Sequence, residues 1–180
     1  MVRARKLIVN DDILLKEIGP EDVTAIFTII DNEREYLGKF LLFIESTREI
    51  SHTRSFVDSY INSDKTDLTC SIYFQNQFVG LIGLKDTDLV NKKTEIGYWL
   101  SESFQRKGII TLSAHALINY VFREMDMNRI QLKAATKNLR SQGVAERLGF
   151  TREGIEREGE LHTRGYFDLV VYSLLKSDRT

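Results

Sequence analysis

The chain alternates between stretches whose apolar residues come in short unbroken runs and stretches that keep them three or four apart, the two signatures of strand and helix. Ile13 to Ile18 is a strand-like run, and the only proline, Pro20 in Gly19-Pro20-Glu21-Asp22, closes it. Proline is tolerated in the first turn of a helix and acidic residues there suit its dipole, so a helix opens at this point. Val23, Ile26, Phe27 and Ile30 keep helical spacing, and Phe56, Val57 and Tyr60 mark a second helix from about Ser51 to Ile61. Between the two lies an aromatic and aliphatic segment, Tyr36 to Ile44.

Leu68 to Phe74 and Phe78 to Leu84 then read as strands joined through the polar link Gln75-Asn76-Gln77, hence a hairpin, and Thr94 to Leu100 extends it into an antiparallel meander. From Ile109 to Met127 the period becomes helical, with Ile110, Ala114, Leu117 and Val121 on one stripe widened by Ile118, Phe122 and Met125. Ile130 to Ala135 is a strand, and Asn138 suits the N-cap of a short helix through Arg147 that stops at Leu148-Gly149-Phe150. Thr151 to Leu161 and Tyr166 to Leu175 form a long hairpin turning at His162-Thr163-Arg164-Gly165. The order β-α-α-β-β-β-α-β-α-β-β, without repeat, linker or low-complexity segment, predicts one mixed α/β domain over residues 1–180.

A chain of 180 residues can bury a substantial core without disulfides or structural metal, and a single cysteine excludes an internal disulfide. Cys70 lies in an apolar run, so it reads as a buried thiol or, alternatively, a nucleophile for which no cation is placed to lower the pKa. After Met1-Val2-Arg3-Ala4-Arg5-Lys6 only Leu7-Ile8-Val9 is apolar, too short for a signal-peptide core, and no later stretch reaches membrane-spanning length. A soluble, cytoplasmic protein with no membrane partner is the expectation. His52, His115 and His162 fit no metal spacing, and no metal is expected.

Charge is unevenly spread. Residues 1–100 carry 12 Lys/Arg against 16 Asp/Glu, residues 101–180 carry 13 against 10, and within 105–147 eight basic residues face three acidic ones. A basic stretch in a chain whose pI is about 6.3 points to a phosphorylated small molecule rather than nucleic acid, although a solvated helix face has the same composition. The stretch begins where Glu95-Ile96-Gly97-Tyr98-Trp99-Leu100 ends a strand and Gln105-Arg106-Lys107-Gly108-Ile109-Ile110 opens a helix. Such a junction aims several backbone N–H groups and the positive end of the helix dipole at one spot, with Arg106 and Lys107 beside it, which suits a diphosphate. Gly108 would admit the anion where a Cβ would obstruct. A strand-to-helix turn wants a glycine in any case.

These residues resemble the pyrophosphate loop of the GNAT superfamily of acetyl-coenzyme A dependent N-acetyltransferases, Gln/Arg-x-x-Gly-x-Gly/Ala. Glu95-Ile-Gly-Tyr-Trp-Leu100, Asn138-Leu-Arg-Ser141, Glu146-Arg-Leu-Gly-Phe150, and Gly165-Tyr-Phe-Asp168 with Tyr172 resemble in order its RimJ/RimL branch, the ribosomal-protein N-terminal acetyltransferases. The resemblance covers nearly the whole chain. It implies a central, mostly antiparallel twisted sheet flanked by helices, acetyl-coenzyme A as co-substrate, and no permanently bound cofactor. It also implies a cofactor-binding set of Tyr98, Trp99, Leu100, Gln105, Arg106, Lys107, Gly108, Ile109, Ile110, Asn138 and Ser141. Two positions depart from the pattern: Ile110 stands where Gly or Ala is preferred, and Ala145 replaces a tyrosine that in many members protonates the leaving thiolate.

The resemblance moves that role to Ser141 and gives the base to Glu160, with Glu158 two residues away as its substitute. An amine attacks a thioester only when neutral, so a carboxylate must take its proton, and the oxygen that gains charge needs a donor such as a backbone N–H near Leu100. The implied acceptor is a protein N-terminus, with polyamines, aminoglycosides or binding without turnover as alternatives. The acidic first half slightly favours a cationic acceptor. Tyr36 to Ile44 could line a peptide groove, pack into the core or form a subunit contact in a possible homodimer.

Overall fold

The computed structural model describes residues 5–63, 66–163 and 165–179. Eight strands form one sheet: β1 (Lys6–Ile8), β2 (Ile13–Glu17), β3 (Thr69–Phe74), β4 (Gln77–Asp88), β5 (Lys93–Leu100), β6 (Arg129–Ala135), β7 (Thr151–His162) and β8 (Gly165–Leu175). Their spatial order is β1-β2-β3-β4-β5-β6-β8-β7, and every neighbouring pair is antiparallel except β5 and β6, which run parallel. The expected meander is therefore present. The long hairpin enters with its second strand inside, so β8 lies against β6 and leaves β7 at the edge.

The helices are α1 (Val23–Asn32), α2 (Arg34–Leu37), α3 (Phe43–Ser46), α4 (Ile50–Ile61), α5 (Ile109–Arg123) and α6 (Leu139–Arg147). Side chains alternate across a strand, and β5 shows the result. Ile96 and Leu100 join the cluster of α5 and α6, whose stripe of Ala114, Leu117, Ile118 and Val121 is fully buried. Trp99 enters the opposite cluster, with Val23, Ile26, Ile30, Val57 and Tyr60 of α1 and α4. Cys70 is buried in the first cluster, and desolvation pushes its thiol up to about 12, which makes it an inert core residue.

Turn chemistry explains most boundaries. Gln75 and Asn76 both have left-handed φ (+50° and +64°), the two-residue turn whose twist matches a hairpin, so Gln77 already belongs to β4. Asn138 caps α6 by accepting from the Ser141 N–H at 3.2 Å. At the other end Gly149 (φ +79°) donates to Glu146 and Phe150 to Ala145, the paired bonds of a Schellman stop. The helix expected as far as Met127 ends at Arg123 instead. Asp126 is left-handed there and held by Lys92 and Lys176, and the turn drops Met127 into the core.

Periodicity did not announce β1, a three-residue edge strand paired only with β2, nor the single turns α2 and α3. Within Tyr36 to Ile44, Leu37 and Ile44 are buried while Leu42 is exposed. The expectation for the N-terminus rests largely on Met1 to Ala4, which lie outside the described residues, as does Arg164 of the last hairpin turn. Among the described residues no helix is long and apolar enough to cross a membrane.

Candidate active site

The parallel pair creates the site. β5 and β6 pair only over Lys93–Glu95 and Arg129–Gln131, and beyond that β5 bonds to β4 alone and β6 to β8 alone. The Ser101 N–H donates to Val79 at 2.8 Å, so alternation turns the backbone groups of Leu100 and Tyr98 the other way, into the opening between β5 and β6. Consistent with this, Gln105 Nε2 donates to the Leu100 carbonyl at 3.4 Å.

Next to the opening sits the loop that begins α5. Arg106 (φ +64°) and Gly108 (φ +74°) are both left-handed, Gly108 is the N-cap, and a Cβ placed on it would meet nothing within 4 Å. The glycine is thus required by its backbone angle and also borders open space, as an anion-accepting turn demands. Ile110, one of the two departures, is 9% exposed and packs into the core under the helix start. A residue remote in sequence fixes the loop's near end: the Glu33 carboxylate accepts from Ser101 Oγ at 2.6 Å and from the Glu102 N–H at 2.8 Å.

On the far wall, Gln142 Nε2 donates to the carbonyls of Ala135 and Thr136 at 3.2 and 2.9 Å, which docks α6 on the end of β6. That seats Ser141 with its Oγ 2.8 Å from the Tyr98 hydroxyl. Burial pushes the Tyr98 phenol up to about 12, against the lowering effect of Ser141 and Arg147. Ala145, the other departure, is completely buried in the core.

Together these elements enclose a cleft of about 830 Å³. Tyr98, Trp99, Leu100, Gln105, Arg106, Gly108, Ile109, Ile110, Asn138 and Ser141, all expected at the cofactor, line it. Lys107 is not in that lining: its ammonium lies 5.1 Å from the ring of Phe104, which does line the cleft, and 5.5 Å from that of Phe74. The basic stretch of the sequence divides accordingly. Arg106, Lys137, Arg140 and Arg147 line the cleft, whereas Arg129 and Lys133 are engaged by Glu153 and Glu156. Arg140 also meets the Tyr36 hydroxyl, an inter-element contact that sequence spacing could not show.

A second cleft of about 890 Å³ shares Lys39, Phe40, Leu41 and Lys137 with the first and reaches toward the last hairpin. It is lined by basic Arg34, Lys39, Arg48 and Lys137 and by acidic Glu35, Glu45, Glu158 and Asp168, so it is balanced rather than acidic. A bulge between Glu156 and Glu160 sets the two candidate bases apart. Glu158 has a left-handed φ of +52°, is pinned by its N–H to Asp168 at 2.8 Å, and lines the cleft. Glu160 is half-buried and paired across the hairpin with Phe167, and it lines neither cleft.

The histidines have structural surroundings: His52 Nδ1 accepts from the Arg48 and Glu49 N–H groups, His115 meets Asn119 and Arg179, and His162 stacks on Phe167 at 4.5 Å. Among the described residues no group of three His, Cys, Asp or Glu could hold a metal ion.

Comparison with known proteins places this geometry. Residues 12–151 match the acetyltransferase (GNAT) domain family. The chain is 36% identical over 174 residues, covering 94% of both chains, to a putative ribosomal N-acetyltransferase, YdaF, of Bacillus subtilis (strain 168). Among solved structures it superposes with a TM-score of 0.91 and 27% identity on RimL, the ribosomal L7/L12 alpha-N-protein acetyltransferase, in complex with coenzyme A, covering 95% of this chain and 98% of that one. The microcin C7 self-immunity acetyltransferase MccE, in complex with acetyl-CoA and AMP, is similar at a TM-score of 0.88 and 27% identity, covering 93% and 94%. The chain belongs to the GNAT family of acetyltransferases, and acetyl-coenzyme A is its co-substrate.

Proposed function

We propose that the chain is a cytoplasmic enzyme, a single domain over residues 1–180, that acetylates the α-amine of a protein or peptide N-terminus by direct attack in a ternary complex. The observation that carries this reading is the meeting of two clefts at Lys39, Phe40, Leu41 and Lys137, one walled by the loop and α6, the other open and charge-balanced. A peptide presents backbone amides and side chains of either sign, whereas a polyamine is best held by carboxylates alone. The relatives named for ribosomal proteins support the same acceptor, and MccE shows that the fold also serves other substrates. An α-amine has a pKa near 8 against about 10.4 for lysine, so at neutral pH far more of it is already the neutral nucleophile. A carboxylate base then suffices.

In this proposal the main-chain N–H groups at Gly108, Ile109 and Ile110, with Arg106 and Lys107, hold the pyrophosphate. The groups of Tyr98 and Leu100 that face the opening, with Trp99 as wall, Gln105 at the loop start and Asn138 opposite, receive the pantetheine arm, and an N–H at the end of β5 receives the charge on the thioester oxygen. Ser141 donates to the departing sulfur. Exposed Glu158 attracts the acceptor's ammonium, and half-buried Glu160 takes the proton from beside the cleft. No covalent enzyme intermediate is required. Leu42 and Phe43, 43% and 42% exposed, leave an apolar surface on which a homodimer contact would form, which sedimentation would detect.

Mass spectrometry of products from a mixture of short peptides with free N-termini, spermidine and an N-blocked lysine peptide tests the acceptor. Acetyl groups are expected on the peptide α-amines. Acetylation confined to spermidine or to the lysine side chain would overturn the acceptor and leave the acetyltransferase itself standing.

A further inference from the structure

Ser141 is not alone at the place where a sulfur would leave. Ala145, one turn further along the same helix, is completely buried and carries no hydroxyl. From the opposite wall, β5 supplies one: the Tyr98 hydroxyl lies 2.8 Å from Ser141 Oγ, where either oxygen can be the donor, and donates to the Ser141 carbonyl at 3.4 Å. Both side chains line the same cleft. The two walls are independently anchored, β5 through its pairing with β4 and α6 through Gln142 and its Asn138 cap, so the contact is held from both sides.

We infer that Tyr98 is a positioning residue for the transfer, donating to Ser141 Oγ so that the Ser141 hydroxyl is turned toward the departing sulfur. The inference rests on the reading of Ser141 as the sulfur's donor. A serine hydroxyl rotates freely and can donate in only one direction at a time. Occupying one of its two acceptor lone pairs with a fixed phenol leaves its proton for the cleft, and a chain of two hydrogen bonds polarises both.

The amine nitrogen forms its bond to the acetyl carbon, and the C–S bond breaks with its electron pair kept by sulfur. The nitrogen's surplus proton passes to the carboxylate and from there to water. The thiolate is held by the Ser141 O–H, itself supported by Tyr98, until water returns a proton to it as coenzyme A departs. A thiol pKa near 8.5 makes stabilisation of the thiolate, rather than full proton transfer from a hydroxyl, the useful contribution. Burial of the phenol keeps Tyr98 protonated throughout the working range, so it has a proton to donate.

A double-mutant cycle in the full chain tests this. Tyr98→Phe keeps the ring and removes the hydroxyl, and is expected to lower kcat about tenfold, the scale of one hydrogen bond of about 1.4 kcal/mol, with KM for acetyl-coenzyme A within about twofold of wild type. Ser141→Ala should cost at least as much. The double variant should then be no slower than Ser141→Ala, because without Oγ the phenol has nothing to orient. Melting temperature and the coenzyme A-induced thermal shift, measured first, establish that each variant is folded and loaded. Multiplying losses, or an unimpaired Tyr98→Phe enzyme, would reduce Tyr98 to a wall and overturn the inference alone. An unimpaired Ser141→Ala enzyme would overturn the Ser141 reading and this inference with it.

Discussion

Glu160 and Glu158 are two residues apart on one strand, yet the bulge gives them different surroundings, and their substitutions should separate in kinetics. Glu160→Gln is expected to lower kcat by about 10²- to 10⁴-fold, the usual worth of a general base, with acetyl-coenzyme A binding unchanged. Glu158→Gln should raise the acceptor KM and leave kcat nearly intact, since it removes attraction without removing the base. Steady-state kinetics that show the opposite split would exchange the two roles. Glu153 makes a different residue-scale prediction. The Arg129 hydrogen bond, with help from Ser173, holds its carboxyl at about 2, below the ordinary carboxylate range. A depressed folded-state pKa contributes stability above the unfolded value near 4.3 that is lost as pH falls through about 2. The wild-type melting temperature should therefore fall over that window, and Glu153→Gln should flatten the curve there.

Among the elements, the start of α5 matters most for the co-substrate. Gly108 combines a left-handed backbone with open space at its Cβ position, so Gly108→Val both strains the N-cap and fills the approach to the helix N-terminus. A cost of about 1–3 kcal/mol in stability is expected, not enough to unfold the domain, together with loss of the thermal shift that coenzyme A produces. A variant that keeps the full shift would remove the loop from the cofactor site. The parallel junction of β5 and β6 contributes something no helix or hairpin could. Because its pairing stops after three residues on each strand, it leaves backbone donors and acceptors exposed inside a sheet, where an extended ligand can complete them.

For the whole molecule, ligand binding and folding share one equilibrium. Coenzyme A at 100 times its Kd should add about 2.7 kcal/mol to stability, a rise of roughly 5–10 °C in melting temperature for a domain of this size. No shift and no calorimetric heat with millimolar acetyl-coenzyme A would contradict the cofactor site as drawn. The sheet and α5 form the larger core, and Leu117, fully buried at its centre, is where a cavity costs most. Leu117→Ala should lower stability by about 2–5 kcal/mol in denaturant titration. Its effect on the shift caused by coenzyme A should be small, because the residue touches neither cleft.

What the sequence determined by itself is whatever depends on near neighbours. Helical stripes, the Gln75-Asn76 turn, the Asn138 cap, the Gly149 stop and the Gly108 loop each follow from residues within about one turn of one another, and so were legible along with the family. Tertiary structure decided what depends on meetings across the chain. It placed Glu33 under the loop, Tyr98 against Ser141, Arg140 beside Tyr36, and Lys107 over the rings of Phe104 and Phe74. It also put Glu158 in the wall of the second cleft and Glu160 in the wall of neither, through a bulge that period-two alternation does not foresee. The physical reason is range: backbone propensity and capping act over a few residues, whereas the direction of a long polar side chain is settled only when sheet order and helix docking bring its partners within reach.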